Sequence, residues 1–370
     1  MTKKRRPETG GAWYAEPGAE QDVIVSTKAS LARNLANFPF PSRLNDSESE
    51  RIQSIVFDAF HFLKDADEFQ AVPLSSLDSI GTKVMTERGV LFPSEGRKSG
   101  LILRSDGKVA CTVNTDDHLR ISSFASGLGV EDTSNSVYAV DSGLQKHIQF
   151  AASYDFGYLS YSVLNCGSGL SIAAQVHLPA LSLLKSIRSA ASDTVGEDFL
   201  FEVCYGAGGA DMVSGFGGIG SSLGSYYVVS TKSSAGGTEL SQLMSFQCVL
   251  QNLVKEERNA RKQCRTQKIT EIANYAYRAL ALAKTSLFIP FREAVEIISG
   301  VKFGIDMGLL SGVAVSELHA LLYRIQEGHL EYVLDNGTFS FEKDIRDNRQ
   351  KKIERLRALI LQEAFEAAER

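Results

Sequence analysis

The sequence predicts an α+β protein in which a sheet-bearing N-terminal two-thirds precedes a helical C-terminal third. Between about residues 95 and 240, short apolar runs typical of strands are bounded by Gly, Ser, Asn or Asp. From about residue 240 onwards, apolar residues recur at helical spacing with basic residues between them. The N-terminal part is therefore predicted to be a domain built on a largely antiparallel sheet, followed by an all-helical domain.

Individual elements follow from the same patterns. Strands are predicted in the runs GLILRSD, KVACTVN, FGYLSYSVLN and GSYYVVSTK. Within the first two-thirds, helices are predicted in SESERIQSIVFDAFHFLKDA and VHLPALSLLKSIRSAAS, whose apolar residues recur every three or four positions. The later segments 238–286, 291–326 and 344–370 are also predicted to be helical, with Gly and Pro between them.

Composition limits the function and the compartment. The 370 residues suffice for two domains, and 44% apolar with 22% charged residues is typical of a globular protein. A net charge of −5 gives no electrostatic reason to expect nucleic acid. No apolar stretch reaches the roughly 18 residues of a membrane span, and no apolar segment follows the basic start as an export signal requires. Five scattered cysteines without paired spacing indicate a reducing, cytoplasmic location and no structural zinc.

A glycine-rich stretch, with eight glycines between Gly206 and Gly224, first suggests a phosphate-binding loop. A P-loop ends in Gly-Lys-Ser/Thr, whereas no lysine follows here until Lys232, and the dinucleotide fingerprint needs a strand before and a helix after. Two interpretations stay open from spacing alone: a nucleotide cradle, as in an unrelated nucleotide enzyme, or a flexible loop.

Four segments in order, VIVSTKASLARNLANFPFP, NTDDHLRI, GYLSYSVLNCGSGLSIAAQVHLPAL and VKFGIDMGLLSGV, resemble the ATP:guanido phosphotransferases, specifically the bacterial protein-arginine kinases. The resemblance implies a catalytic domain of antiparallel sheet flanked by helices at residues 18–255 and a helical dimerisation domain at 256–370, after a flexible terminus at 1–17. It also implies transfer of the γ-phosphoryl group of Mg-ATP to protein arginine. That reaction depends on cations around the phosphoryl group and on carboxylates that orient the guanidinium.

In the first segment the family has two arginines one residue apart on a strand, which hold ATP phosphates on one face. This chain has Ser26, Thr27, Lys28 and then Ser30 at the second arginine position. Lysine keeps the charge without the bidentate fork, and serine keeps neither. Arg33, outside the family's phosphate contacts, is expected to serve sheet and loop packing.

The second segment preserves the motif best. By resemblance, Asp116 stands at the family's catalytic glutamate, Asp117 and His118 match, and Arg120 matches a phosphate-binding arginine. Read without the resemblance, Asp116 and Arg120 would be an ordinary ion pair at a strand end. His118, like His177, is expected to be a hydrogen-bonding sheet residue because no second ligand lies at metal-ligand spacing.

The third segment has lost charge. Counting back from VHLPAL, Ser162 stands where the family has a reactive cysteine, Asn165 matches, and Ser171 replaces an ATP-binding arginine. Cys166 is out of register. The resemblance carries ATP contacts along this predicted strand, at Ser171, Ile172, Ala173, Ala174 and Gln175.

The glycine-rich stretch should carry the family's remaining arginine and two glutamates. Registered from the following strand, these fall at Val213, Gly218 and Ser221. The predicted site thus keeps one phosphate arginine, Arg120, and one weaker substitute, Lys28.

A separate phosphoarginine-binding site of this family has the motif Arg-Asp-x-x-Arg-Ala. Here RDNRQK offers Arg346, Asp347 and Arg349, which could hold a phosphate and a guanidinium. A solvated helix face is the alternative interpretation.

The resulting functional expectation is a degraded kinase or pseudokinase that acts by binding. Its expected partners are protein substrates or phosphoarginine-bearing proteins and a zinc-binding activator protein, and it is expected to form a homodimer. The alternative is an active protein-arginine kinase, using ATP and Mg²⁺, whose site a partner completes. No resident metal ligands and no membrane or nucleic-acid partner are expected.

Overall fold

A computed structural model describes residues 12–91, 98–206, 222–235 and 237–370. It confirms the α+β class, because its main sheet is antiparallel throughout, is flanked by helices, and precedes a helical C-terminal region. The strands of the main sheet lie in the order β2-β3-β4-β5-β1-β8-β10-β9, and β6 pairs with β7 in a separate hairpin. The strands are β1 (Ile24–Arg33), β2 (Phe69–Pro73), β3 (Gly100–Arg104), β4 (Val109–Val113), β5 (Leu119–Ser126), β6 (Ala152–Ser153), β7 (Gly157–Tyr158), β8 (Leu170–His177), β9 (Phe199–Val203) and β10 (Tyr226–Thr231).

The helices of the described residues cover the sheet and form the C-terminal region. They are α1 (Asp46–Phe60), α2 (Ser79–Glu87), α3 (Val130–Leu144), α4 (Pro179–Leu183), α5 (Ile187–Ser189), α6 (Glu239–Gln267), α7 (Ile269–Thr285), α8 (Phe291–Asp306), α9 (Val315–Arg324), α10 (Glu327–Asn336) and α11 (Arg349–Ala364). Among the residues described, no helix is both long enough and apolar enough to cross a membrane.

Helix α1 forms where the sequence predicts it, and its start has a local cause. Asn45 accepts a hydrogen bond from the Glu48 amide while the Glu48 carboxylate accepts one from the Asn45 amide, which is a capping box. Ile52, Val56 and Phe60 follow at intervals of four and are all buried. One face of the helix therefore packs on the core.

Other local predictions have different outcomes. The predicted strands GLILRSD, KVACTVN and GSYYVVSTK are confirmed as β3, β4 and β10. The strand predicted in FGYLSYSVLN is wrong: Gly157–Tyr158 is extended, but Val163–Asn165 is a 3₁₀ turn. The helix predicted from residue 176 begins later, because β8 runs to His177 and Pro179 starts α4. Pro suits the first helical turn, where its missing N–H is not needed.

The N-terminal segment is packed where the structure describes it. The flexible terminus predicted for residues 1–17 includes residues 1–11, which lie outside the described residues. At 12–17 the structure instead has a short 3₁₀ turn, Trp13–Ala15, and Trp13 is only 6% exposed. Its indole stacks on the ring of Phe124, with centroids 5.4 Å apart.

Helix α6 joins the sheet region to the C-terminal helices without a break. The boundary predicted at 255/256 lies inside this 29-residue helix. Buried charges also link the two regions: Arg261 of α6 bonds Asp22, just before β1, and Asp306 of α8. Lys302, fully buried, also bonds Asp306 at 2.9 Å.

Candidate functional site

The centre of the sheet brings together the three strands that carry the predicted ATP-binding residues. Strand β1 lies between β5 and β8, and Ser30 is in register with Ser122 on one side and Ser171 on the other. The hydroxyls of Ser30 and Ser122 are 2.9 Å apart and hydrogen-bonded. Positions assigned by resemblance to two phosphate-binding arginines, 30 and 171, are therefore neighbours and are both neutral.

Alternation along the strands divides the predicted ATP-binding residues between two faces. Ser26, Lys28 and Ser30 share one face of β1, whereas Thr27 faces α3 and donates to the carbonyl of Gly127 at 2.6 Å. On β8, Ile172 and Ala174 are fully buried in the core. Ser171, Ala173 and Gln175 lie on the face of Ser30.

Lys28 is held inside the protein instead of projecting into an open site. Its Nζ donates to the carbonyl of Gly89 at 2.7 Å and lies 5.3 Å from the centroid of the Phe124 ring. Burial, with a smaller contribution from the nearby Arg120 charge, lowers the pKa of Lys28 to about 7. The amine is thus only partly charged near neutral pH.

Asp116 and Asp117 are adjacent in sequence but differ in environment. The Asp116 side chain is 60% exposed, whereas that of Asp117 is 1% exposed. Arg120 Nη2 lies 3.4 Å from Asp117 Oδ2 and 4.0 Å from Asp116 Oδ2. Asp116 is therefore free to meet a cation from solvent, while Asp117 neutralises the preserved arginine.

Asp117 also fixes the surrounding chain. Its Oδ1 accepts hydrogen bonds from Asn34 Nδ2 at 2.7 Å, Ser160 Oγ at 2.9 Å and the Tyr161 amide at 3.0 Å. Asn34 in turn accepts from the His118 amide. This buried carboxylate joins β1, the start of β5 and the segment before β8.

His118 and His177 make the hydrogen bonds expected of structural residues. His118 Nδ1 accepts from the Leu35 amide, so its Nε2 donates to the Pro39 carbonyl. Burial lowers the pKa of His118, which favours this neutral ring. His177 Nε2 bonds the Ser299 hydroxyl at 2.9 Å. The hydrogen-bonding role predicted for both residues is confirmed.

Arg33 is confirmed as a packing residue. Its guanidinium forms a bidentate pair with Asp141 of α3 and lies 3.6 Å from the centroid of the Tyr158 ring. The residue is 1% exposed.

Aromatic contacts at the site were not predicted from the sequence. The Tyr323 ring of α9 stacks on the Tyr14 ring with centroids 4.4 Å apart, and Gln175 Nε2 donates to the Tyr205 hydroxyl at 2.9 Å. Trp13 covers the same face through its stack on Phe124. The only signal in the sequence was that Trp13, its single tryptophan, lies in a segment with few other apolar residues.

The third segment places Ser162 directly before a short 3₁₀ turn in the stretch between β7 and β8. Asn165 ends the 3₁₀ turn Val163–Asn165, and Cys166 Sγ lies 3.4 Å from the donating Ser160 amide. Val213, Gly218 and Ser221, the positions of the remaining family charges, lie outside the described residues.

The residues predicted to bind phosphoarginine lie just before α11 and at its first residue. Arg346 and Asp347 are exposed, and Arg349 makes two bonds to Asp335 at 2.9 and 3.0 Å. A phosphate binding to Arg349 would have to compete with this carboxylate.

The described residues do not fit a polyphosphate clamp. They supply one permanently charged residue from the family pattern, Arg120, and Asp117 already pairs with it. Within the described ranges there is also no group of three or more His, Cys, Asp or Glu side chains arranged to hold a metal ion. In kinases Mg²⁺ is held largely by the nucleotide phosphates, so the cations decide whether this site can bind Mg-ATP.

Comparison with known proteins covers nearly the whole chain. The family model for the ATP:guanido phosphotransferase C-terminal catalytic domain matches residues 51–260, and the model for the protein-arginine kinase McsB C-terminal domain matches residues 269–370. The protein-arginine kinase of Halothermothrix orenii is 28% identical over 345 residues, which cover 90% of this chain and 93% of the relative. That of Syntrophomonas wolfei is 27% identical over 337 residues, covering 89% and 90%.

Solved structures share the fold. The substrate-free duplicated taurocyamine kinase from Schistosoma mansoni aligns with a TM-score of 0.57 and 16% identity over 77% of this chain, which spans 41% of that duplicated chain. Lombricine kinase aligns with a TM-score of 0.52 and 15% identity, covering 64% of this chain and 67% of its own. Since the catalytic-domain model alone matches more than half of the residues, this chain belongs to the ATP:guanido phosphotransferase family, in the branch whose curated members are protein-arginine kinases.

Proposed function

We propose that this chain is a protein-arginine kinase homologue with a degraded transfer site, which acts by binding and transfers phosphate slowly or not at all. The observation that carries the proposal is the cluster of Ser30, Ser122 and Ser171 at the centre of the sheet. Hydroxyls there cannot neutralise the charge of a transferring phosphoryl group.

The expected deficit in rate is large. Removing one preorganised stabiliser of transition-state charge typically lowers the rate by about 10²–10³. Neutral residues at positions 30 and 171 together predict a rate reduced by about 10⁴ or more, if the two effects are independent. The pairing of Arg120 with Asp117 and the reduced charge of Lys28 act in the same direction.

A second candidate function is that of an active protein-arginine kinase completed by a partner. The exposed carboxylate of Asp116 beside Arg120 favours this alternative, because an acceptor guanidinium could reach it. An activator protein, zinc-binding by family resemblance, would then have to supply the missing cations. Both candidate functions include a homodimer formed through the helical C-terminal region.

Phosphoryl transfer can be tested directly. Purified protein is incubated with radiolabelled Mg-ATP and an arginine-rich acceptor protein, and acid-labile phosphoramidate is measured. We expect transfer near background for the wild type. The variant Ser30→Arg/Ser171→Arg should raise it if the missing cations are the cause. Strong wild-type transfer that Asp116→Asn abolishes would refute the degraded-site proposal, and transfer only with an added activator would favour the second candidate.

The regulatory binding role needs a separate test. Free phosphoarginine is titrated into the wild type, Arg346→Ala and Arg188→Ala, the last being a matched exposed arginine elsewhere. Saturable binding that only Arg346→Ala weakens would support the role. Equal affinity in all three proteins, or no binding, would remove it.

A further inference from the structure

The first described residues, 12–17, lie across one face of the main sheet and are called here the strap. The indole of Trp13 stacks on the ring of Phe124 on β5, with centroids 5.4 Å apart. It also contacts the ring of Tyr323 on α9 edge to face, with centroids 5.5 Å apart. Tyr14 stacks on the same Tyr323 ring at 4.4 Å. The strap therefore fastens helix α9 to strand β5 through a chain of aromatic contacts.

The strap covers part of the nucleotide face, which is the face of the sheet that carries Ser26, Lys28 and Ser30 on β1. Phe124 is the cross-strand partner of Lys28, so both side chains point to the same side of the sheet. Lys28 Nζ lies 5.3 Å from the centroid of the Phe124 ring on which Trp13 stacks. The indole is thus one ring away from an amine that stands at a phosphate-binding position of the family.

Lys28 is also held by the residues that follow α2. Its Nζ donates to the carbonyl of Gly89 at 2.7 Å. The next two residues, Val90 and Leu91, are buried and belong to the same apolar cluster as Trp13. Burying an anion among apolar side chains is costly. A phosphate can therefore meet this amine only after the cluster opens.

The attachment of the strap allows it to leave the sheet as a unit. Its 3₁₀ turn makes internal backbone bonds, and within the described part of the chain no backbone-to-backbone hydrogen bond joins residues 12–17 to another element. The first such bond beyond the strap is at Ala19, whose carbonyl accepts from the Leu128 amide at 2.7 Å. Glu16 pairs with Lys108 at 2.8 Å, but both side chains are partly exposed, and such pairs contribute little.

The chain is fixed immediately after the strap. A Cβ on Gly18 would lie 2.2 Å from the carbonyl oxygen of Ser126, and Ala19 forms an isolated bridge with Gly127. Ser126 is itself the cross-strand partner of Ser26 on the nucleotide face. An anchored base with an end held by side chains is the arrangement of a segment that opens locally while the rest of the protein stays folded.

We propose that the strap is an autoinhibitory lid, which closes the Lys28 side of the nucleotide face and must swing away before a nucleoside polyphosphate binds there. The proposal rests on the proposed function for the place of the nucleotide and adds a regulation of that site. A closed lid lowers the apparent affinity by the fraction of molecules in which it is open. Opening it leaves the neutral residues at positions 30 and 171 unchanged, so binding and transfer can be measured separately.

Nucleotide binding to the full chain is measured with a fluorescent trinitrophenyl derivative of ATP in the presence of Mg²⁺. The lid variant is Trp13→Leu/Tyr14→Ser, which removes both stacking rings but keeps an apolar side chain at position 13. The control is Phe62→Ser, which removes an exposed ring that stacks on His147 at 4.5 Å. We expect the lid variant to bind at least about tenfold more tightly than the wild type and the control to bind like the wild type.

Equal affinity in the lid variant and the wild type, including no measurable binding by either, would overturn the proposal. The transfer assay separates this result from the degraded-site proposal. Tighter binding by the lid variant with transfer still near background would support both proposals. Tighter binding together with strong transfer would support the lid and refute the degraded site.

Trp13 is the only tryptophan of the chain, so its fluorescence gives a second readout in the wild type, independent of any substitution. Emission and quenching by acrylamide are followed while Mg-ATP is added. We expect a red shift and stronger quenching as the indole leaves the Phe124 ring, with the same midpoint as nucleotide binding. Nucleotide that saturates the protein without changing either signal would show that the strap stays closed and would overturn the lid.

Discussion

Replacing Arg33 by alanine should destabilise the protein far more than removing a surface arginine that forms the same bidentate pair with a carboxylate. The Arg33 side chain is 1% exposed, and its Nε and Nη2 bond the two Asp141 oxygens at 2.9 and 3.1 Å. Its Nη1 donates to the carbonyls of Ala32 and Ser168 at 2.9 Å. The substitution leaves a buried carboxylate without its cation.

The expected size follows from burial. Removing one partner of a buried ion pair typically costs about 3–5 kcal/mol of unfolding free energy. Arg349 pairs with Asp335 through two bonds of 2.9 and 3.0 Å, but these side chains are 50% and 42% exposed. Arg349→Ala should therefore cost only about 0–1 kcal/mol. The bidentate pairing with a carboxylate is matched, so the difference reports burial together with the two carbonyl bonds that Arg33 alone makes.

Urea unfolding followed by circular dichroism measures both variants. A difference between them below about 1 kcal/mol would refute the reasoning, since burial would then contribute little. The double variant Arg33→Ala/Asp141→Leu separates charge from packing. The double variant should recover part of the unfolding free energy lost in Arg33→Ala, because the unpaired carboxylate is gone. If it recovers none, the loss comes from the missing side-chain volume.

Three further predictions concern single residues. Burial lowers the pKa of His319 to about 3, against about 6.5 when unfolded, so the unfolded state binds the proton first as pH falls through this window. The free energy of unfolding should fall there by up to about 1.4 kcal/mol per pH unit. In His319→Leu the urea midpoint should change less between pH 7 and pH 4.5 than in the wild type, and an equal change in both proteins would contradict this. Gly169→Ala, where φ is +70° and a Cβ would lie 2.5 Å from Arg33 Nη1, should lower the melting temperature more than Gly196→Ala, where φ is +72° and no atom lies within 4 Å; equal shifts would contradict steric overlap. Asp117→Asn should speed amide hydrogen exchange at residues 158–162 because the charged acceptor is lost, whereas unchanged protection would show that the bonds to Asp117 do not hold that segment.

Much of the fold could be predicted because its signals are local. The capping box at Asn45 and the apolar spacing of Ile52 and Val56 identify α1 without any tertiary information. The prediction of a strand in FGYLSYSVLN was wrong because several apolar residues there lie at the protein surface and not in a sheet. Tyr161 donates its amide to Asp117 in place of a neighbouring strand, and Val163 faces solvent.

The candidate site shows the same limit. The loss of charge at position 30 is visible in the sequence, but the hydrogen bond between Ser30 and Ser122 depends on strand register. The Trp13 stack on Phe124 and the edge-to-face contact of Trp13 with Tyr323 join residues far apart in the chain. Local patterns do not encode such pairs, so the surroundings of the site required the structure.

Helix α6 makes the two regions of the chain difficult to separate. At about 1.5 Å per residue its 29 residues form a rod of about 44 Å. A chain ending at residue 255 would lose Glu257, whose carboxylate accepts from the amides of Ala180 and Leu181. A chain starting at residue 256 would lose Asp22, the partner of Arg261. Either fragment would expose polar groups that the intact protein satisfies, so the molecule should unfold as one cooperative unit and resist limited proteolysis within α6.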